Sequence, residues 1–162
     1  MDPVLPADYY HYYHLILQLL AATALGALIG LERDLSGKDP SLRTFALISL
    51  GSCIFSMISR HSAAMTPGTD PARIAAQILP GIGFIGAGAI FRSSYGVSGI
   101  TTATLLWITA SIGMAVGFDR VDLAFSAALM TLLAIYFLRL VHRSVASWRK
   151  RSDESRPVTQ EE

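Results

Sequence analysis

Residues 15–31 read LILQLLAATALGALIGL, seventeen positions without a charge, and stop abruptly on Glu32-Arg33-Asp34. About 20 apolar residues in a helix cross a bilayer core, and lipid excludes isolated charges strongly, so such a run suits hydrocarbon. Four further runs repeat the pattern. They cover residues 44–59 between Arg43 and Arg60, 74–91 between Arg73 and Arg92, 100–118 before Asp119-Arg120, and 123–138 before Arg139. Of the 162 residues, 52% are hydrophobic and 15% charged, which leaves too little polar sequence to cover five apolar helices in water. The fold class is therefore all-α: a polytopic membrane bundle of about five transmembrane helices.

This reading divides the chain into an outer (periplasmic) segment 1–14, a transmembrane domain 15–141 and a polar cytoplasmic tail 142–162, expected to be disordered. Tyr9, Tyr10, Tyr12 and Tyr13 suit a membrane–water interface, and the absence of Lys and Arg before His14 argues against a cleavable signal. With the N-terminus outside, the inner segments carry Arg33, Lys38, Arg43, Arg92, Arg139, Arg143, Arg149, Lys150, Arg151 and Arg156. The outer ones carry Arg60, Arg73 and Arg120. That bias places the N-terminus outside and the C-terminus in the cytoplasm. A net charge of +1 gives no bulk attraction to nucleic acid, and Cys53, the single cysteine, allows no intramolecular disulfide. Asp39-Pro40 and Asp70-Pro71 each set a capping acceptor before proline, which predicts starts for the second and third helices.

The densest motif is Pro80-Gly-Ile-Gly-Phe-Ile-Gly-Ala-Gly88. Gly81, Gly83 and Gly86 have the spacing of a dinucleotide fingerprint, but no strand precedes them and the loop would lie at membrane depth. The better reading is a helix face bare of side chains that another backbone can approach. Pro80 is expected to kink or break this helix. Ala22, Gly26 and Gly30 on the first helix, and Gly113 and Gly117 on the fourth, recur every four residues and form matching faces, implying a compact bundle or a symmetric oligomer.

Polar candidates are few. Gln77 follows Arg73 by one turn, and Thr101, Thr102, Thr104, Thr109 and Ser111 can bond to their own helix carbonyls. Glu32, Arg33, Asp34, Arg43 and Arg92 cap the inner ends of the first three helices. They form either a solvated collar or a cation-sensitive or docking site, with Glu32 and Asp70 the candidate ligands for magnesium. No carboxylate lies inside a span, which weighs against a cation-coupled carrier, though not against a channel lined by backbone carbonyls. No nucleophile–base pair is arranged for catalysis, so the chain is read as a non-enzyme.

These stretches resemble the MgtC/SapB family of bacterial inner-membrane proteins. The resemblance is carried by Gly26-Ala-Leu-Ile-Gly-Leu-Glu-Arg33, Leu42-Arg-Thr44, Asp70-Pro-Ala-Arg-Ile-Ala-Ala-Gln77, Gly81 to Gly88, and Thr101 to Gly117, in order along most of the membrane region. It implies a role in magnesium homeostasis and adaptation to low magnesium, and in pathogens survival inside macrophages. Some members are thought to act on the proton-translocating ATP synthase. The family motif positions are Glu32, Arg33, Arg43, Thr44, Asp70, Arg73, Gln77, Gly81, Gly83, Gly86, Gly88, Thr101 and Thr102. Pro80 departs from the small polar residue expected there. The chain is also expected to lack the C-terminal cytoplasmic module of the virulence members, like the short SapB-like branch. The leading expectation is a multi-pass inner-membrane modulator of ion homeostasis. It would act through helix contacts with itself or another membrane protein, in contact with lipid and without nucleic acid. The alternative is a magnesium channel or permease with residues 81–88 along its path.

Overall fold

The computed structural model describes residues 7–94 and 96–154, with side chains for residues 12–94 and 96–141. The elements are α1 (Ala7–Leu35), α2 (Leu42–Met65), a 3₁₀ turn (Ala75–Gln77), α3 (Ile78–Gly88), β1 (Phe91–Ser93), β2 (Gly96–Ser98), α4 (Ile100–Gly117) and α5 (Val121–Glu154). Among the described residues, four helices are long and apolar enough to cross a membrane: Tyr12–Leu35, Leu42–Met65, Ile100–Gly117 and Val121–Val141. Residues 142–154 continue α5, while 1–6 and 155–162 lie outside the described residues.

The third expected span departs from this pattern. Its apolar helical part, Ala75–Gly88, reaches only about 21 Å at 1.5 Å per residue, against a core of about 30 Å. Pro80 explains the shortening. The α-helix begins two residues before it, so proline sits in the first turn, where its missing N–H is not needed. Upstream, the ring forbids the carbonyl of Ala76 an α-type bond, and the chain takes tighter bonds instead, such as Gln77 N–H to the Ile74 carbonyl at 3.0 Å. Pro80 therefore sets a helix start and does not kink a continuous span. The loop that follows pairs Phe91 with Ser98 and Ser93 with Gly96 in a two-stranded hairpin that the sequence reading left as a connector.

Asp39 also departs from expectation. The N-cap of α2 is Ser41, and the carboxylate that accepts the Leu42 N–H, at 3.2 Å, belongs to Asp34. Asp70 does cap locally, its Oδ1 accepting from the Ala72 N–H at 2.8 Å.

Chain direction alternates through the bundle. Gly26 and Gly30 of α1 face Ser49 and Leu42 of α2, so these two helices are antiparallel. Gly113 and Gly117 of α4 face Ser49 and Cys53, so α2 and α4 run parallel. The Ser59 hydroxyl accepts from Ile74 N–H (3.1 Å), and Gly86 rests on Ala103, so α3 returns along α4. The centre of the bundle is one face of α2: Phe45, Ser49, Ser52, Ser56 and Ser59, all buried. Their spacing of four, three, four, three is a seam facing neighbouring helices. The seam works because its neighbours carry no side chains at the crossings. A Cβ on Gly26 would sit 2.6 Å from the Phe45 carbonyl oxygen, and one on Gly117 2.5 Å from that of Cys53. One on Gly113 would overlap the Ser49 carbonyl outright. In lipid, where hydrophobic attraction between helices is absent, this close packing holds them together.

Gly113→Ala should therefore lower the stability of the purified protein in detergent by about 1–3 kcal/mol, the usual cost of overpacking. Gly51, on the same central helix, has nothing within 4 Å of the added carbon. Gly51→Ala should be neutral or stabilising by up to about 1 kcal/mol. Thermal unfolding of the two variants side by side checks the contrast.

Candidate functional site at the Glu32 end

The last turn of α1 meets α5 and the start of α4 in a polar cluster. Glu32 Oε1 accepts from Arg139 Nη2 and from Ser36 Oγ at 2.8 Å, and Arg139 also donates to Ser36 at 2.6 Å. Arg33 Nη1 lies 3.7 Å from Glu32 Oε2. Arg33 is 6% exposed, and its Nη2 donates to Thr102 Oγ1 at 3.4 Å. The Thr102 hydroxyl in turn donates to the Asp39 carbonyl at 3.2 Å. Glu32 and Arg139 thus tie α1 to α5, while Arg33 and Thr102 tie α1 to α4 and the α1–α2 loop. Both ties are partly or fully desolvated, so losing either partner would leave a charge that water solvates poorly.

Of the five residues expected to cluster, the structure brings Glu32 and Arg33 together. Asp34 serves α2 as a cap, and Arg43 and Arg92 are exposed and make no ion pair among the described residues. Arg139 takes their place. The sequence marks Arg139 as the end of the fifth run and as one of the inner cations, and a partner 107 positions away leaves no local signal. Thr101 is exposed on the first turn of α4. Glu32 and Asp70 lie at opposite ends of the bundle. Among the described residues, no three His, Cys, Asp or Glu side chains stand together. Glu32 and Asp70 therefore cannot share one ion.

A second cluster occupies the Asp70 end. Gln18, 5% exposed, donates to Asp119 Oδ1 at 2.5 Å and to the Val116 carbonyl at 3.3 Å. Asp119 also pairs with Arg60 at 2.8 Å. Asp119 ends α4 at φ 65°, a conformation glycine usually takes. There the Asp119 and Arg120 N–H groups bond back to Val116 and Ala115. Gln18 is hidden in sequence as one amide inside an apolar run. Next to it, Arg120 donates twice to Asp122, which lifts the guanidinium pKa further, yet both groups are fully exposed and the pair matters little to the fold.

The remaining candidates lie along α3. Arg73 and Gln77 are exposed. Gln77 and Thr44 line a groove of about 560 Å³ between α2 and α3, whose other walls include Leu47, Phe55, Gly81 and Ile85. Of the motif glycines only Gly86 meets another helix; Gly81, Gly83 and Gly88 face open space.

The model of the MgtC family matches residues 19–144, nearly the whole bundle. Protein SapB of Bacillus subtilis is 38% identical over 148 residues, covering 88% of this chain and 64% of its own length. Protein MgtC of Salmonella typhimurium LT2 is 44% identical over 124 residues, covering 76% and 52%. YhiD of Escherichia coli K12, by name a candidate magnesium transporter, is 44% identical over 122 residues, covering 72% and 56%. The chain spans about half to two thirds of the length of these curated relatives. No solved structure matches it. With a family model across its helices and relatives at this identity over most of its length, the chain belongs to the MgtC family of membrane proteins.

Proposed function

We propose that this protein is a non-enzymatic modulator of magnesium or ion homeostasis in the inner membrane, acting through contacts of α3 with a second copy or another membrane protein. The observation that carries the reading is the unequal use of glycine faces. Gly26, Gly30, Gly113 and Gly117 are consumed inside the bundle, whereas Gly81, Gly83 and Gly88 have no neighbour within 4 Å of an added carbon. Gly81 and Gly88 share one face of α3, Gly83 opens on the groove toward α4, and a bare face on a membrane helix is where another backbone docks. Phe84, 84% exposed, stands on the same short helix as an aromatic anchor beside that face. The magnesium connection follows the names of the relatives, YhiD above all. The excess of Lys and Arg at the Glu32 end supports a cytoplasmic C-terminus.

The permease reading has less support. The α2–α3 groove offers an ion only Thr44, Ser52 and Gln77 among its polar side chains. The α3 backbone is continuous helix from Ile78 to Gly88, so most of its carbonyls are already bonded.

In native membranes, Phe84→Cys should crosslink to a second copy or to one discrete partner, with buried Cys53 giving little background. Adding Gly88→Leu, one turn from Phe84 on the same face, should reduce the adduct several-fold without lowering the unfolding temperature. A chain that gives no adduct contradicts the proposal. Liposomes holding only this protein should show no magnesium flux above background, and flux abolished by Gly83→Leu would transfer support to the permease.

A further inference from the structure

Beside the Glu32–Arg139 pair lies a cleft of about 1180 Å³ between the end of α1, the start of α4 and residues 131–139 of α5. Among the described residues, three cations line it, Arg33, Lys38 and Arg139, and no carboxylate does. Glu32, behind the wall, offsets one of them. The first turn of α4 also opens into the cleft. Its N-cap is Gly99, no side chain caps it, and so the N–H groups of Ile100, Thr101 and Thr102 keep no partner within the helix. Those groups and the helix dipole together favour an oxyanion.

The second, independent observation is Arg33 itself. This cation is more than nine-tenths buried and lines the cleft, yet it makes a single hydrogen bond, of 3.4 Å, and an ion pair of 3.7 Å. Its Nε has no partner. A buried guanidinium with unused donors is costly unless something accepts from it. Its terminal nitrogens lie against Glu32 and Thr102 at these long distances, so Arg33 adds positive charge to the cleft, and Lys38 and the start of α4 line other parts of the wall.

The remaining walls identify the carrier of that oxyanion. Leu105 and Ile108 of α4 and Ile135 and Leu138 of α5 extend the cleft away from the cations as an apolar slot. We propose that the cleft binds the phosphate group of an anionic phospholipid. The phosphate sits between Arg33, Lys38 and the start of α4, and an acyl chain lies along α4 and α5. Free inorganic phosphate shares the head chemistry but leaves the slot empty.

The test uses the full chain purified in detergent and titrated separately with phosphatidylglycerol, with diacylglycerol of the same chains, and with inorganic phosphate. The readouts are thermal unfolding and native mass spectrometry. Phosphatidylglycerol should raise the unfolding temperature and stay bound, and diacylglycerol should do neither. Lys38→Gln, at an exposed position that does not touch the core, should weaken phosphatidylglycerol about fivefold. Arg33→Gln should weaken it more, and if that variant does not fold, Lys38→Gln alone decides. Stabilisation by inorganic phosphate equal to that by phosphatidylglycerol would keep the anion site and overturn the lipid as its source. Equal binding of phosphatidylglycerol and diacylglycerol, or affinity unchanged in Lys38→Gln, overturns the proposal.

Discussion

The bundle depends on backbone touching backbone at α2. Gly26 and Gly30 press on this helix from one side and Gly113 and Gly117 from the other, each at a separation that excludes even a methyl group. A helix gripped in this way cannot carry large side chains toward its neighbours, and beyond Phe45 its seam is serine and cysteine. Serine is small enough for the position: Ser56 donates to the Ser52 carbonyl of its own helix at 2.8 Å, Ser59 reaches the Pro71 carbonyl at 2.6 Å, and the Ser49 hydroxyl, at the tightest crossing, has no partner among the described residues. Thr109, like Ser56, donates to a carbonyl of its own helix, that of Leu105 on α4. Within the core, hydroxyls are thereby accommodated on their own helices, and the side-chain links between helices lie at the two ends of the bundle.

Three helices locked together leave the other two in subordinate positions. α5 lies along α4, contributes the buried side chains of Ala124, Ala128 and Thr131, and is pinned near the end of its apolar span by Arg139 on Glu32. α3 stands on α4 through Gly86 and Ala103 and leaves a groove toward α2. The polar clusters at the two ends fix the vertical register of α1 against its neighbours, Gln18 and Asp119 at one end, Arg33 and Thr102 at the other. Membership in the MgtC family fits this arrangement, since the matched residues 19–144 take in both the locked core and α3.

Much of this was legible in the sequence because lipid imposes simple rules. Charge-free runs located the four long helices, and the four-residue spacing of Gly26 and Gly30, and of Gly113 and Gly117, marked them as packing faces. What the spacing could not supply was the partner: a stripe names a face of its own helix, and only the fold shows that both stripes meet α2. The serine seam went unread because single hydroxyls in an apolar run look incidental until their period is compared with that of a neighbour. Pro80 and Asp39 were misplaced for local reasons. Proline marks a helix start and a helix kink with the same letter, and Asp34, eight positions before Leu42, supplied the cap expected from Asp39. The cluster at Glu32 was half visible, since its acid and one arginine are adjacent in sequence but Thr102 and Arg139 are not.

The distance that tests this account most directly is that between the Gly113 α-carbon and the Ser49 carbonyl carbon. Solid-state NMR of protein labelled at these two atoms in lipid bilayers would measure it. Atoms in van der Waals contact, within about 4 Å, are what a backbone-to-backbone crossing requires. A separation near 8 Å, at which ordinary side chains hold helices apart, would contradict it.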